Sequence, residues 1–160
     1  MQHFFVDIHL FRLYSYINRK ASDFMHQSRK VIHADKPSIQ KYTGKSIGIA
    51  VLDTGIYPHD DFIFPSNRIV AFKDFVHHHS NYYDDNGHGT HVCGIIAGNG
   101  KSSDGLYYGM APNANLIVGK ILDSSGNGSL QNILTAIRWI ISLKNKYNIR
   151  ILNISVGAES

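Results

Sequence analysis

The chain has 160 residues, 43% apolar and 18% charged, which excludes a disordered polymer and leaves room for one domain of ordinary size. Its formal charge of +4 is unevenly placed, with eight basic and three acidic side chains in residues 1–45 against eight and nine in residues 46–160. The body of the chain is therefore near neutral, which argues against a nucleic-acid partner, because such proteins keep their basic patch on the folded core.

The N-terminus opens on apolar residues, but Asp7, His9 and Arg12 interrupt any signal core. No run of 18 apolar residues exists, so no membrane partner is expected. The single cysteine, Cys93, excludes an intramolecular disulfide framework and a multi-cysteine zinc site. One thiol suits a reducing compartment at least as well as a secreted one, and a cytoplasmic location is the expectation, with secretion left open.

Phe4, Ile8, Phe11, Tyr14, Ile17, Ala21 and Phe24 recur at steps of three and four, which predicts a helix over residues 4–30. Residues 1–33 read as an N-terminal helical extension or the remnant of a prosegment, and residues 34–160 as the second unit. From Lys45 the pattern changes. Ile47 to Asp53 form a nearly continuous apolar run that suits a strand buried on both faces of a parallel sheet. Comparable runs are Leu116 to Leu122 and Ile149 to Val156. Between them Leu130, Ile133, Leu134, Ile137, Ile140 and Ile141 form a helical stripe, so this stretch reads as strand, helix, strand with a right-handed crossover. The expected class is α/β with a mainly parallel sheet. His77-His78-His79 falls in a polar stretch and reads as a loop.

Groups that do chemistry in parallel sheets gather beyond the carboxyl ends of the strands. Asp53 stands at such an end, ahead of Thr54-Gly55, where a carboxylate either caps the next turn or takes part in chemistry. A second candidate is the stretch Asp84-Asp85-Asn86-Gly87-His88-Gly89-Thr90-His91, which leads into an apolar helix-like segment ending near Gly98. Glycines on either side of His88 let another group approach it, whereas His91, one turn deeper, reads as a buried histidine satisfied by its neighbours. His88-x-x-His91 lacks the spacing and the intervening glutamate of a helical zinc pair, and the one glutamate is Glu159. Gly98-Asn99-Gly100-Lys101-Ser102 is a near miss to a phosphate loop, because Ile95 stands where its first glycine belongs. Nucleophilic catalysis remains: an imidazole base needs a carboxylate to hold its tautomer, and Asp53 and His88 can serve if the fold joins them.

Val51-Leu52-Asp53-Thr54-Gly55-Ile56 resembles the aspartate motif of subtilisin-like serine peptidases, and Gly87-His88-Gly89-Thr90-His91-Val92-Cys93-Gly94 their histidine motif. The similarity continues through Gly109-Met110-Ala111-Pro112, Val118 to Leu122, Gly126 to Ser129 and Leu152 to Gly157. It covers about residues 34–160, and its texture is closest to the bacterial, often intracellular, branch. The resemblance implies a three-layer α/β sandwich around a mainly parallel sheet, here truncated. It also implies hydrolysis of peptide bonds in extended polypeptides through an Asp-His-Ser triad. Asp53 would orient the imidazole and His88 would be the general base and acid. Gly126, Asn127 and Gly128 would form one backbone edge bracketing the substrate, and Ser155, Val156 and Gly157 the other, with Leu130 and Leu122 lining an apolar subsite. Asp61 would match an aspartate that ligates a structural calcium, while the chemistry itself would need no cofactor.

The family's nucleophile lies in a Gly-Thr-Ser-x-Ala motif, and no such motif occurs in these 160 residues; the asparagine that donates to the oxyanion is likewise missing. The expectation is a chain that holds two members of a triad, needs the C-terminal half of the catalytic domain as its partner and is inactive alone. The alternative is an inactive remnant or peptide-binding fragment. Cys93, five residues after His88, reads as a small apolar residue of the helix interior.

Overall fold

The computed structural model describes residues 29–157. The helix expected over residues 4–30 lies almost wholly outside them. The described elements run, in chain order, α1 (Pro37–Gln40), β1 (Gly48–Asp53), α2 (Asp60–Ile63), β2 (Ile69–Asp74), α3 (His88–Ala97), a 3₁₀ turn (Lys101–Ser103), β3 (Asn115–Lys120), α4 (Leu130–Leu143) and β4 (Ile149–Ile154). The four strands form one sheet in the order β2-β3-β1-β4, and every pairing is parallel.

Alternation along the strands produces three layers. Ile49 and Val51 of β1 point to one face and join Leu116, Val118, Phe62, Cys93 and Ala97 in a core roofed by α3. Ala50 and Leu52 point to the other and join Ile117, Ile133, Ala136 and Ile140 in a core floored by α4. All six residues of β1 are buried, as a strand covered on both faces requires. The sequence encodes α4 in two ways. Ser129 accepts the Asn132 N–H at 3.1 Å and so caps the first turn, and Ile133, Ala136 and Ile140 recur at helical spacing as its buried stripe. Each buried isoleucine on that stripe contributes about 1.5–3 kcal/mol by leaving water.

Two features depart from the sequence reading. β2 was not foreseen, although Ile69-Val70-Ala71-Phe72 is an apolar run. β4 is an outer strand: Ile149 is buried, but Ile151 is 54% exposed and Leu152 and Ile154 are also open, so this run is not covered on both faces. Among the described residues no helix is long and apolar enough to cross a membrane. Cys93 is fully buried among aliphatic neighbours, and burial pushes its thiol well above the ordinary value.

Candidate active site

The register places Asp53, Lys120 and Asp74 side by side at the carboxyl ends of β1, β3 and β2. The chain then leaves β1 through Thr54 and Gly55, whose φ of 126° is a conformation that only glycine adopts cheaply. The N-terminus of α3 returns against this turn. A Cβ at Gly89 would overlap the Gly55 carbonyl and crowd Asp53, so the histidine motif's glycine is what lets α3 approach β1.

That approach brings together two residues separated by 35 positions. His88 Nδ1 lies 2.8 Å from Asp53 Oδ1, with Asp53 fully buried and the His88 side chain 24% exposed. Asp53 Oδ1 also accepts the Thr54 N–H at 2.7 Å, while its buried Oδ2 has no hydrogen-bond partner. The hydrogen bond to Asp53 raises the His88 pKa above the ordinary value, against burial, and the charges of Asp53 and Asp84 add to the rise. With Nδ1–H committed to the carboxylate, the free lone pair sits on Nε2, where the ring can take a proton from a nucleophile and return it to a leaving group. His91 is half-buried, and burial followed by the charge of His88 lowers its pKa.

Three polar groups frame the pair: Lys120 and Asp74, to which the sequence assigned no role, and Asp84 at the head of the candidate stretch. Lys120, fully buried, donates from Nζ to Asp85 Oδ1 at 2.6 Å, to the Thr54 carbonyl at 2.7 Å and to the Leu122 carbonyl at 2.8 Å. All three ammonium protons are thereby used. Asp74 accepts the N–H groups of Val76, His77 and His79 and the Tyr83 hydroxyl. Burial raises its pKa, but these bonds outweigh it and hold the carboxyl at about 2. The histidine triplet therefore lies in the loop wrapped on Asp74. Asp84 is similarly enclosed: burial opposes its charge, while bonds from Thr90, Gly87 and Thr54 keep its pKa below the ordinary value. Nothing local in the sequence signals these roles, since Thr54 and Asp84 are 30 positions apart and Lys120 and Asp85 are 35.

The two expected substrate edges lie beyond β3 and β4, the strands that flank β1. On the first, Gly126 takes φ 82° in a turn held by Asp123, whose Oδ1 accepts the Ser125 and Asn127 N–H groups. Gly128 then runs back antiparallel to Leu122, where a Cβ would strike the Ile121 carbonyl. Leu130 is 49% exposed beside this edge, but Leu122 is fully buried in the floor of the sheet and does not line an open subsite. Ser155, Val156 and Gly157 follow directly on β4, with Asn153 Nδ2 donating to Ser155 Oγ at 2.8 Å.

Asp61, the expected calcium ligand, makes bonds to its own chain in this structure. Its Oδ1 accepts the Ser102 N–H at 2.8 Å, and its carbonyl accepts the Asn99 N–H. Among the described residues no group of three or more His, Cys, Asp or Glu side chains is placed to hold a metal. The cation of this corner is Arg68, buried, whose guanidinium donates to the carbonyls of Ala97 at 2.7 Å, Ala114 at 3.1 Å and Asp61.

Comparison with known proteins agrees with this geometry. The serine protease AprX of Bacillus subtilis is 40% identical over 151 residues, which cover 91% of this chain and 33% of AprX. The minor extracellular protease Epr of the same organism is 45% identical over 120 residues, 74% of this chain and 17% of Epr. Among solved structures, the CspB protease of Clostridium perfringens superposes with a TM-score of 0.63 at 26% identity, covering 74% of this chain and 31% of that one. A cold-adapted subtilisin-like serine proteinase gives 0.54 at 32% identity, covering 63% and 34%. The chain thus spans a third or less of the curated relatives it is compared with here. Residues 44–160 match the subtilase family, and the chain belongs to it.

Proposed function

We propose that this chain supplies the Asp-His half of a serine endopeptidase that cleaves extended polypeptides. The observation that carries the reading is the 2.8 Å contact between His88 Nδ1 and the buried Asp53, set at the carboxyl end of β1. In this role Asp53 holds the imidazole tautomer and stabilises the imidazolium, and His88 Nε2 accepts the proton of an attacking serine and passes it to the leaving amine. A substrate strand lies between Gly126–Gly128 and Ser155–Gly157, held by main-chain hydrogen bonds, with an apolar side chain against Leu130.

The serine and the oxyanion donor come from further polypeptide. Without them the rate falls by about a million-fold, and the 160 residues alone turn over no substrate at a useful rate. The open outer strand β4 supports completion by another segment, because its edge pairs with no fifth strand among the described residues.

The test is complementation. The chain is combined with the C-terminal part of the AprX catalytic domain, and cleavage of an unfolded polypeptide is followed. We expect activity only in the combination, with loss on Asp53→Ala or His88→Ala. Activity that survives His88→Ala overturns the reading. Saturable peptide binding without cleavage in the combination leaves the chain as a peptide-binding fragment.

A further inference from the structure

The sequence motifs give no part to Asp84, yet its carboxylate is the most heavily bonded in the described structure. Oδ1 accepts the Thr54 hydroxyl at 2.9 Å, the Gly87 N–H at 2.8 Å and the Asn86 N–H at 3.1 Å. Oδ2 accepts the Thr90 N–H at 2.8 Å and the Thr90 hydroxyl at 2.5 Å. Gly87, the N-cap of α3, has no side chain to cap the helix, so Asp84 takes up the Thr90 N–H of the first turn from outside it, where the helix dipole favours an anion.

A cap alone would need only those amides. Asp84 also reaches β1, and it does so through hydroxyls whose direction it dictates. A hydroxyl has one proton, and a carboxylate only accepts. Thr54 must therefore give its proton to Asp84 and turn a lone pair outward, and that lone pair receives the Gly89 N–H at 2.9 Å. Thr90 gives its proton to Asp84 and receives the Tyr57 N–H at 2.9 Å. Thr54 adjoins Asp53, and Gly89 adjoins His88. One charge thus aligns two relays that join the strand bearing Asp53 to the helix bearing His88.

We propose that Asp84 is a positioning residue for the Asp53–His88 pair, fixing the imidazole against its carboxylate through the directed hydroxyls of Thr54 and Thr90. The proposal rests on the peptidase reading for its effect on turnover, and on the geometry alone for its effect on His88. An amide at position 84 cannot replace the carboxylate. Its NH2 must face either the Asn86 and Gly87 N–H groups or the Thr90 N–H, donor against donor, so whichever way it turns those bonds are lost and the hydroxyl on that side loses its acceptor.

The experiment is proton NMR on the full 160-residue chain, comparing wild type with Asp84→Asn, Thr54→Val and Thr54→Ser. It reads the downfield resonance of the His88 Nδ1 proton in its bond to Asp53, and the pH midpoint of the His88 ring. The groups that act on that midpoint are Asp53, Asp84 and His91. Asp84→Asn and Thr54→Val should lose the resonance and move the midpoint to lower pH, while Thr54→Ser, which keeps the hydroxyl, should retain both. In the complemented enzyme Asp84→Asn should lower kcat by about a hundredfold, with KM little changed. A folded Asp84→Asn or Thr54→Val chain with wild-type resonance and midpoint overturns the proposal. If Asp84→Asn does not fold, Thr54→Val decides, because it leaves the charge in place; loss of the fold in both overturns positioning in favour of a purely structural role. Failed complementation leaves the resonances untouched, so the two readings fail separately.

Discussion

The carboxyl ends of β1 and β3 and the outer strand β4 belong to one sheet and are built in opposite ways. At the first, Asp53, Thr54, Lys120 and Asp84 are tied together and to His88 by short hydrogen bonds, with only Asp53 Oδ2 left unpartnered among their side-chain atoms. At the second, Ile151 and Leu152 stand open and polar contacts are sparse. The difference shows that the Asp53–His88 contact is held by a local polar network, whereas the surface along β4 is apolar and open. Buried polar networks hold one geometry or fail, and apolar surface tolerates change until something covers it.

The sharpest way to break that contrast is at Lys120. Lys120→Ala deletes three buried charge-assisted bonds at once, and we expect a loss of about 3 kcal/mol in denaturant unfolding. A change below 1 kcal/mol would mean that the corner is not held by its polar network. Acid provides a smaller lever. Asp74, held near 2 when folded against an ordinary 3.8, contributes stability that is present above pH 4 and lost as pH falls towards 2. Wild type should therefore lose more stability than Asp74→Asn across that window, and parallel curves would exclude the carboxyl. The smallest effect is expected at β4. Ile151→Lys should shift the unfolding midpoint by no more than about 0.5 kcal/mol while reducing self-association in sedimentation, since a charge on an open strand blocks edge-to-edge pairing.

The elements legible in the sequence were those with strong local patterns. β1, β3 and α4 are long apolar runs or stripes, and Asp53 and His88 stand in motifs specific enough to name their family. β2 was missed because Ile69-Val70-Ala71-Phe72 is short and follows a stretch with no turn signal recognised as such. Lys120 looks like the polar end of a strand, and only the adjacent loops turn it into a buried hub. Asp84 stands in the candidate stretch, but its partners are hidden because Thr54 and Thr90 lie in separate parts of the chain, and a carboxylate before a helix is ordinarily read as a cap. Leu122 erred in the other direction: the motif placed it at the subsite, while the chain beyond the end of β3 leaves the alternation and buries it in the floor beside Ile121. Periodicity reports which face a side chain takes, and it says nothing about which distant carbonyl needs a proton.

Arg68 gives the corner beside Asp61 a property that an ion could not. A guanidinium carried on the chain never leaves by dilution, needs no recruitment from the medium and stays charged at every physiological pH. The junction of Ala97, Ala114 and Asp61 is therefore tied by a cation that the polypeptide itself carries.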